Sequence, residues 1–202
     1  MLFLSFLFAA VILAITPGPG MAYVIARTLS GGIKVGLASC VGTGIGGFVH
    51  VISAATGISL LLANSALAFT ILKYMGAVYL VFLGVRLLSA KRHSMTKQTI
   101  PSMGIKRAFV EGVVVEALNV KTALFFLAFL PQFTSTDEPL MMQLVVLGSI
   151  CVLLNTCVDV LAVVLAQRFK QSLRNNPFKL LSGTSGVMLI GLGTYLALAD
   201  RS

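Results

Sequence analysis

Tryptophan is absent from this chain and acidic residues are scarce, with Asp and Glu together numbering 6 in 202 residues against 15 Lys and Arg. Charged residues of all kinds make up 10% of the sequence, while 57% is hydrophobic and the mean hydropathy is +0.99. So few polar groups cannot cover the surface of a soluble domain of this length, which excludes an ordinary water-soluble globular fold. The 3 cysteines, Cys40, Cys151 and Cys157, are an odd set inside apolar segments. They form neither a disulfide framework nor a metal-ligand cluster, and read as small packing residues. No metal and no cofactor is expected.

Long apolar stretches fill the chain instead, at Leu2–Ile25, Val35–Leu62, Ala66–Val85, Ala108–Leu130, Leu140–Leu165 and Leu180–Leu198. Each has roughly the length a helix needs to cross ~30 Å of hydrocarbon. Barrel strands are shorter and alternate in polarity, so an all-α integral membrane protein with six transmembrane helices is expected. The first stretch lacks a basic leader and a clear small-x-small cleavage site, and its apolar run is too long for a signal peptide. It reads as a retained span, and residues 1–202 as a single transmembrane domain.

The net charge of +9 does not point to nucleic acid, because of where the charge lies. Arg27 and Lys34 fall in the first connection. Arg86, Lys91, Arg92, Lys97, Lys106 and Arg107 fall in the third, and Arg168, Lys170, Arg174 and Lys179 in the fifth. The even connections and the tails hold only Arg201, together with acidic Asp137, Glu138 and Asp200. The positive-inside rule then puts the odd connections in the cytoplasm and both termini outside. Contact with anionic lipid follows from the same charge. Lys73, within the third stretch, reads as an anchor snorkelling to the outer interface.

A polar connection, about 89–106, divides the chain into repeat 1 (about 1–88) and repeat 2 (about 107–202). Three spans in each half require that related halves lie in opposite orientations. Within the first span stands "ITPGPG" (Ile15–Gly20), and "ALNVK" (Ala117–Lys121) can be laid on its "AITPG" from the fourth span. At about 1.5 Å per residue both interruptions fall roughly 17–21 Å from the side each span enters, close to the bilayer midplane. Inverted repeats with broken helices meeting at mid-membrane recur among transporters.

With "TPGPG" in the first span and "LNVKTALFFLAFLPQF" in the fourth, the chain resembles the lysine exporter (LysE/RhtB) family of amino-acid translocators over essentially its whole length. The likeness extends to the spaced glycines Gly32, Gly36, Gly42 and Gly46, to His50, and to Lys73, Gly76, Tyr79, Leu80, Leu83 and Gly84. It implies export of amino acids or close derivatives across a bacterial cytoplasmic membrane, driven by the proton gradient or the membrane potential. Two departures stand out. Relatives usually carry Asn or Asp where this chain has Gly20, and Asn-Pro-Lys where it has Asn119-Val120-Lys121. The second removes a proline and leaves open whether the fourth span is broken at all. Glu116 stands where many relatives have a neutral polar residue.

The candidate substrate or ion-path residues are Thr16, Pro17, Gly18, Pro19, Gly20, His50, Glu116, Asn119, Lys121 and Asp159. An ionisable group within hydrocarbon is costly and marks function by default. Glu116, Asn119 and Lys121 read either as such a site or as a structural contact inside the bundle. Asp159 reads either as a second carboxylate facing the same cavity as Glu116 or as an interfacial partner of Arg168 or another basic residue of the connection. His50 is a proton relay or a neutral imidazole bonded to a carbonyl across a helix interface. Pro17 and Pro19 free carbonyls near Leu13 and Ile15, to which the Thr16 hydroxyl is also close. Glu111 reads as a solvated partner of Lys106 and Arg107.

Gly42–Gly47 matches GxGxxG, but inside an apolar span the pattern has no nucleotide-binding meaning; Gly32-x-x-x-Gly36 and Gly42-x-x-x-Gly46 read as faces for close helix approach. They permit a homodimer without requiring one. No Walker A, GxSxG or HExxH motif is present, so neither an ATP-driven pump nor an intramembrane hydrolase is favoured. The expected function is a secondary transporter with a small-molecule substrate, an amino acid, coupled to proton antiport; the alternative is an intramembrane enzyme or a non-transporting membrane protein.

Overall fold

In the computed structural model, residues 2–64, 104–135 and 138–169 are described, with scattered helical positions between 67 and 85 and at 190, 191 and 194. Most of the third stretch with Lys73, most of the 89–106 connection and nearly all of the sixth stretch lie outside the described residues. Among those residues every regular element is helical.

The first span is two helices, α1 (Leu2–Ile15) and α2 (Pro19–Gly31), bent by 45°. Pro17 has no N–H with which to continue the ladder, and Gly18 takes an extended conformation (φ −138°, ψ −176°) before α2 restarts with Pro19 in its first turn. α2 runs on to Gly31, and Gly32 alone connects it to α3 (Ile33–Asn64). Gly32 has φ 83°, a left-handed conformation open to glycine at little cost. The expected first loop is therefore shorter than its charges suggest, since Arg27 lies within α2 and Lys34 in the first turn of α3.

The fourth span is also broken. α4 (Ile105–Ala117) and the continuous run Val120–Phe133 meet at 42°, although Val120 stands where a proline was the expected breaker. Asn119 breaks the helix instead. Its backbone is extended (φ −75°, ψ 100°), and its side-chain oxygen accepts the Lys121 N–H at 3.1 Å, which caps α5 (Val120–Leu124). One wide π-helical stretch (Phe125–Phe129) and a tight 3₁₀ stretch (Leu130–Phe133) follow. The fifth span, α6 (Leu140–Arg168), is a single helix of 29 residues. Counting each bent pair as one, four spans among the described residues are long and apolar enough to cross a membrane.

α3 packs most closely on α4. A Cβ on Gly46 would stand 2.5 Å from the Val113 carbonyl, and one on Gly112 would stand 2.8 Å from the Ser39 carbonyl. The Gly42/Gly46 face thus admits α4 backbone to backbone, while Gly36 meets Thr28 of α2. On the side of the breaks away from Gly31 and Ile105, the core is aromatic. Phe125 and Phe129 stack at 5.0 Å, Phe129 reaches Phe133 at 5.2 Å, and Phe133 meets Phe6 of α1 at 5.7 Å. Cys40 and Cys151 are buried as expected, but Cys157 is exposed on the outer face of α6.

Candidate functional site

The two breaks meet, and the contact is made by charged and polar side chains. Proline at position 17 leaves the Leu13 carbonyl without its helical donor. The Lys121 ammonium supplies one, donating to the Leu13 carbonyl at 3.1 Å and to the Thr16 carbonyl at 2.8 Å. These oxygens lie at the carboxyl end of α1, where the helix dipole favours a cation. Thr16 turns its hydroxyl further back than expected, to the Ile12 carbonyl at 2.6 Å. Gly18 provides clearance, since a Cβ there would lie 3.1 Å from both Cε and Nζ of Lys121.

Glu116 is held separately, with no direct Glu116–Lys121 ion pair among the described residues. One carboxylate oxygen accepts the Asn119 amide at 3.0 Å and the other accepts the Thr122 hydroxyl at 2.7 Å. The carboxylate lies against Gly20 in the first turn of α2, in the space that a Cβ on Gly20 would occupy. A side chain at position 20 and the present position of the Glu116 carboxylate are therefore mutually exclusive. The carboxylate also lies beside the amino end of a helix, which favours negative charge.

His50 is bonded to a carbonyl across the helix interface. Its Nε2 donates to the Glu116 backbone carbonyl at 2.7 Å, and its ring rests on Phe126 with centroids 6.0 Å apart. Asp159 is only 1% exposed and is not paired with Arg168; it accepts the Thr43 hydroxyl at 3.0 Å. Thr43, Glu116, Thr122, Asn155 and Thr156 contribute the polar wall of one cavity, closed on the apolar side by Leu13, Phe126, Cys151 and Val152. Its volume is about 10 Å³, room for a single water molecule. Asp159 lies behind Thr43 rather than on the cavity wall.

A second polar junction lies toward the basic connections. The Arg27 guanidinium on α2 pairs with Glu111 of α4 at 2.9 Å, and Tyr23 donates its hydroxyl to the Ala108 carbonyl at 2.9 Å. Arg107 shares Glu111 at 3.0 Å. The expected local pairing of Glu111 with Lys106 and Arg107 is thus half replaced by a bond between the two broken spans.

Of the sequence candidates, Thr16, Gly18, Gly20, Glu116, Asn119, Lys121 and, through the Glu116 carbonyl, His50 form one connected centre. Pro17 and Pro19 shape it, and Asp159 joins through Thr43. Sequence reasoning missed Thr122 and Thr43. Thr122 sits six residues beyond Glu116, across a break that the missing proline concealed. Thr43 lay within the glycine run, where a polar residue in an apolar span was the available signal.

Apolar helical spans among the described residues, two of them broken where buried polar and charged groups gather, define a multi-pass membrane protein. The family model for the LysE type translocator matches residues 11–200, and the chain belongs to that family. It is similar to the uncharacterized membrane protein YrhP of Bacillus subtilis, 30% identical over 97% of this chain and 98% of that one. It is also similar to the homoserine/homoserine lactone efflux protein of Salmonella typhimurium, 27% identical over 98% of this chain and 97% of that one. No solved structure matches the chain. The family is one of translocators, not enzymes.

Proposed function

We propose that the protein exports amino acids or close derivatives across the cytoplasmic membrane as a secondary transporter coupled to proton antiport. The observation that carries this reading is the bonding of one broken span to the other at their breaks, by Lys121 to the Leu13 and Thr16 carbonyls. A lysine and a carboxylate buried together at such a junction are expensive, and a solute path is the use that repays their cost. The name of the efflux relatives supports an amino-acid substrate. Repeats 1 and 2 are inverted copies, each opening with a broken span, and both termini face outward with the basic connections in the cytoplasm.

In this scheme the substrate enters from the cytoplasm between spans one and four. The halves then rearrange to open the outer side. Glu116 on the cavity wall and Asp159 behind Thr43 are the carboxylates available to carry the coupling proton. Pro17 and Pro19 give span one its hinge, Gly18 and Gly20 give room at it, and His50 and Asn119 hold Glu116 and its turn in place. Anionic lipid binds the basic connections, and a homodimer is compatible with the outward-facing apolar surfaces.

The test is transport by the purified protein in proteoliposomes, with a panel of amino acids and an imposed pH gradient. Accumulation that a protonophore abolishes is expected. Glu116→Gln is expected to uncouple flux from the pH gradient at normal protein level. Absence of flux for every amino acid, with and without a gradient, refutes the transport reading.

A further inference from the structure

Lys121 and Glu116 are buried side by side, yet each is satisfied by dipoles and not by the other. Glu116 takes neutral donors from Asn119 and Thr122 at 3.0 and 2.7 Å. Lys121 takes the Leu13 and Thr16 carbonyls at 3.1 and 2.8 Å. A lysine whose task was to neutralise the carboxylate would be drawn onto it, since that pairing is the stronger one in a low-dielectric interior. The acceptors it uses instead, carbonyls at the end of a half-helix, are those that any primary ammonium would use.

The cavity is adjacent to this junction: Leu13 and Glu116 are on its wall, Lys121 and Thr16 are not. At about 10 Å³ it holds one water and no amino acid. The aliphatic stem of Lys121 runs past Gly18, so close that a Cβ on Gly18 would stand 3.1 Å from its Cε and 3.3 Å from its Cδ. Withdrawal of this one flexible side chain would vacate two carbonyls, which within hydrocarbon must find another donor.

We infer that Lys121 is a tethered stand-in for the ammonium group of the substrate. It occupies the Leu13 and Thr16 carbonyls in the unloaded protein, and a primary amine displaces it on binding. This rests on the transport reading and narrows it. The substrate class is a primary amine able to donate two hydrogen bonds, so N-acetylated and N-trimethylated analogues are excluded. The stand-in also lets the unloaded protein close and return without orphaned carbonyls, as the loaded protein does with the substrate amine in place.

Two fluxes in proteoliposomes separate this role from a structural one. Net efflux requires the unloaded protein to return, whereas exchange with substrate on both sides does not. With a labelled amino acid that the parent transports, Lys121→Ala is expected to lower net efflux by about tenfold or more, the equivalent of losing a hydrogen bond to a charged group. Exchange is expected to persist, which also shows that the variant is folded. Methylammonium is expected to restore part of the net efflux.

Gly18→Ala keeps the lysine but presses a methyl group on it, and is expected to shift the balance between the two fluxes in the same direction by less. Loss of net efflux and exchange together in both variants, or parental values of both, overturns the inference while leaving the transport reading intact. A parent that moves no amino acid in either mode overturns the two together.

Discussion

Replacing Asn119 by Ala removes two interactions that the structure keeps distinct. The side-chain oxygen caps α5 through the Lys121 N–H at 3.1 Å, and the side-chain amide donates to the buried Glu116 carboxylate at 3.0 Å. Loss of an N-cap costs about 1 kcal/mol. Loss of a hydrogen bond to a charged group costs about 1.5–3 kcal/mol, and more when the group stays buried, as Glu116 does at 2% exposure. The sum of roughly 2.5–4 kcal/mol corresponds to a fall in unfolding temperature of about 5–15 °C for a chain of this size.

The assay is thermal unfolding of purified protein in one detergent, carried through a double-mutant cycle with Glu116→Gln. Asn119→Ala is expected to cost less in the Glu116→Gln background, by the part that belonged to the charged bond, while the cap part remains. Asn119→Asp keeps the cap acceptor, places one carboxylate against another, and is expected to be the least stable of the single variants at neutral pH. An unfolding temperature unchanged by Asn119→Ala, or equal losses in the two Glu116 backgrounds, would refute the account of how the fourth span is broken.

Two further outcomes follow from packing and charge. Gly42→Ala drives a methyl group into the Phe109 carbonyl at the α3–α4 crossing and is expected to destabilise by about 1–3 kcal/mol. Gly57→Ala, with nothing near its Cβ, is expected to stabilise by up to about 1 kcal/mol, and the two melts read side by side test the crossing. For the junction at Glu111, Arg27→Gln is expected to cost about 1 kcal/mol because that guanidinium is mostly buried. Arg107→Gln, at 73% side-chain exposure, is expected to cost less than about 0.5 kcal/mol, and chemical denaturation of the two variants checks the order.

Composition and run length were enough to expect a helical membrane protein, because hydrocarbon leaves few structures open to an apolar chain. The break in span one was equally plain, since "TPGPG" removes donors at fixed positions. The break in span four is less legible, because proline is the usual signal for a broken helix and Val120 stands in its place. A capping asparagine does the same work with a side-chain oxygen, and the same residue in another register would be an ordinary polar side chain.

Glu116, Asn119, Lys121 and Asp159 were visible as intramembrane polar residues, but their partners were not. Lys121 bonds to residues 105 and 108 positions earlier, and no local pattern encodes such a pairing. Arg27 was placed in a loop because the apolar run ended at Ile25. Helix α2 continues past that point, and its polar face finds Glu111.

The bond from Lys121 to Thr16 spans 105 residues, which sets an order of events during synthesis. At about 5–20 residues per second the fourth span follows the first by roughly 5–20 s. During that interval α1 ends in carbonyls whose donor has not yet been made. Until then water or the insertion machinery must serve those carbonyls, so span one is expected to settle in the lipid only when its distant lysine arrives. The kink is thus finished by the second half of the chain, and a ribosome stalled before Lys121 would leave span one as the least settled segment of the nascent protein.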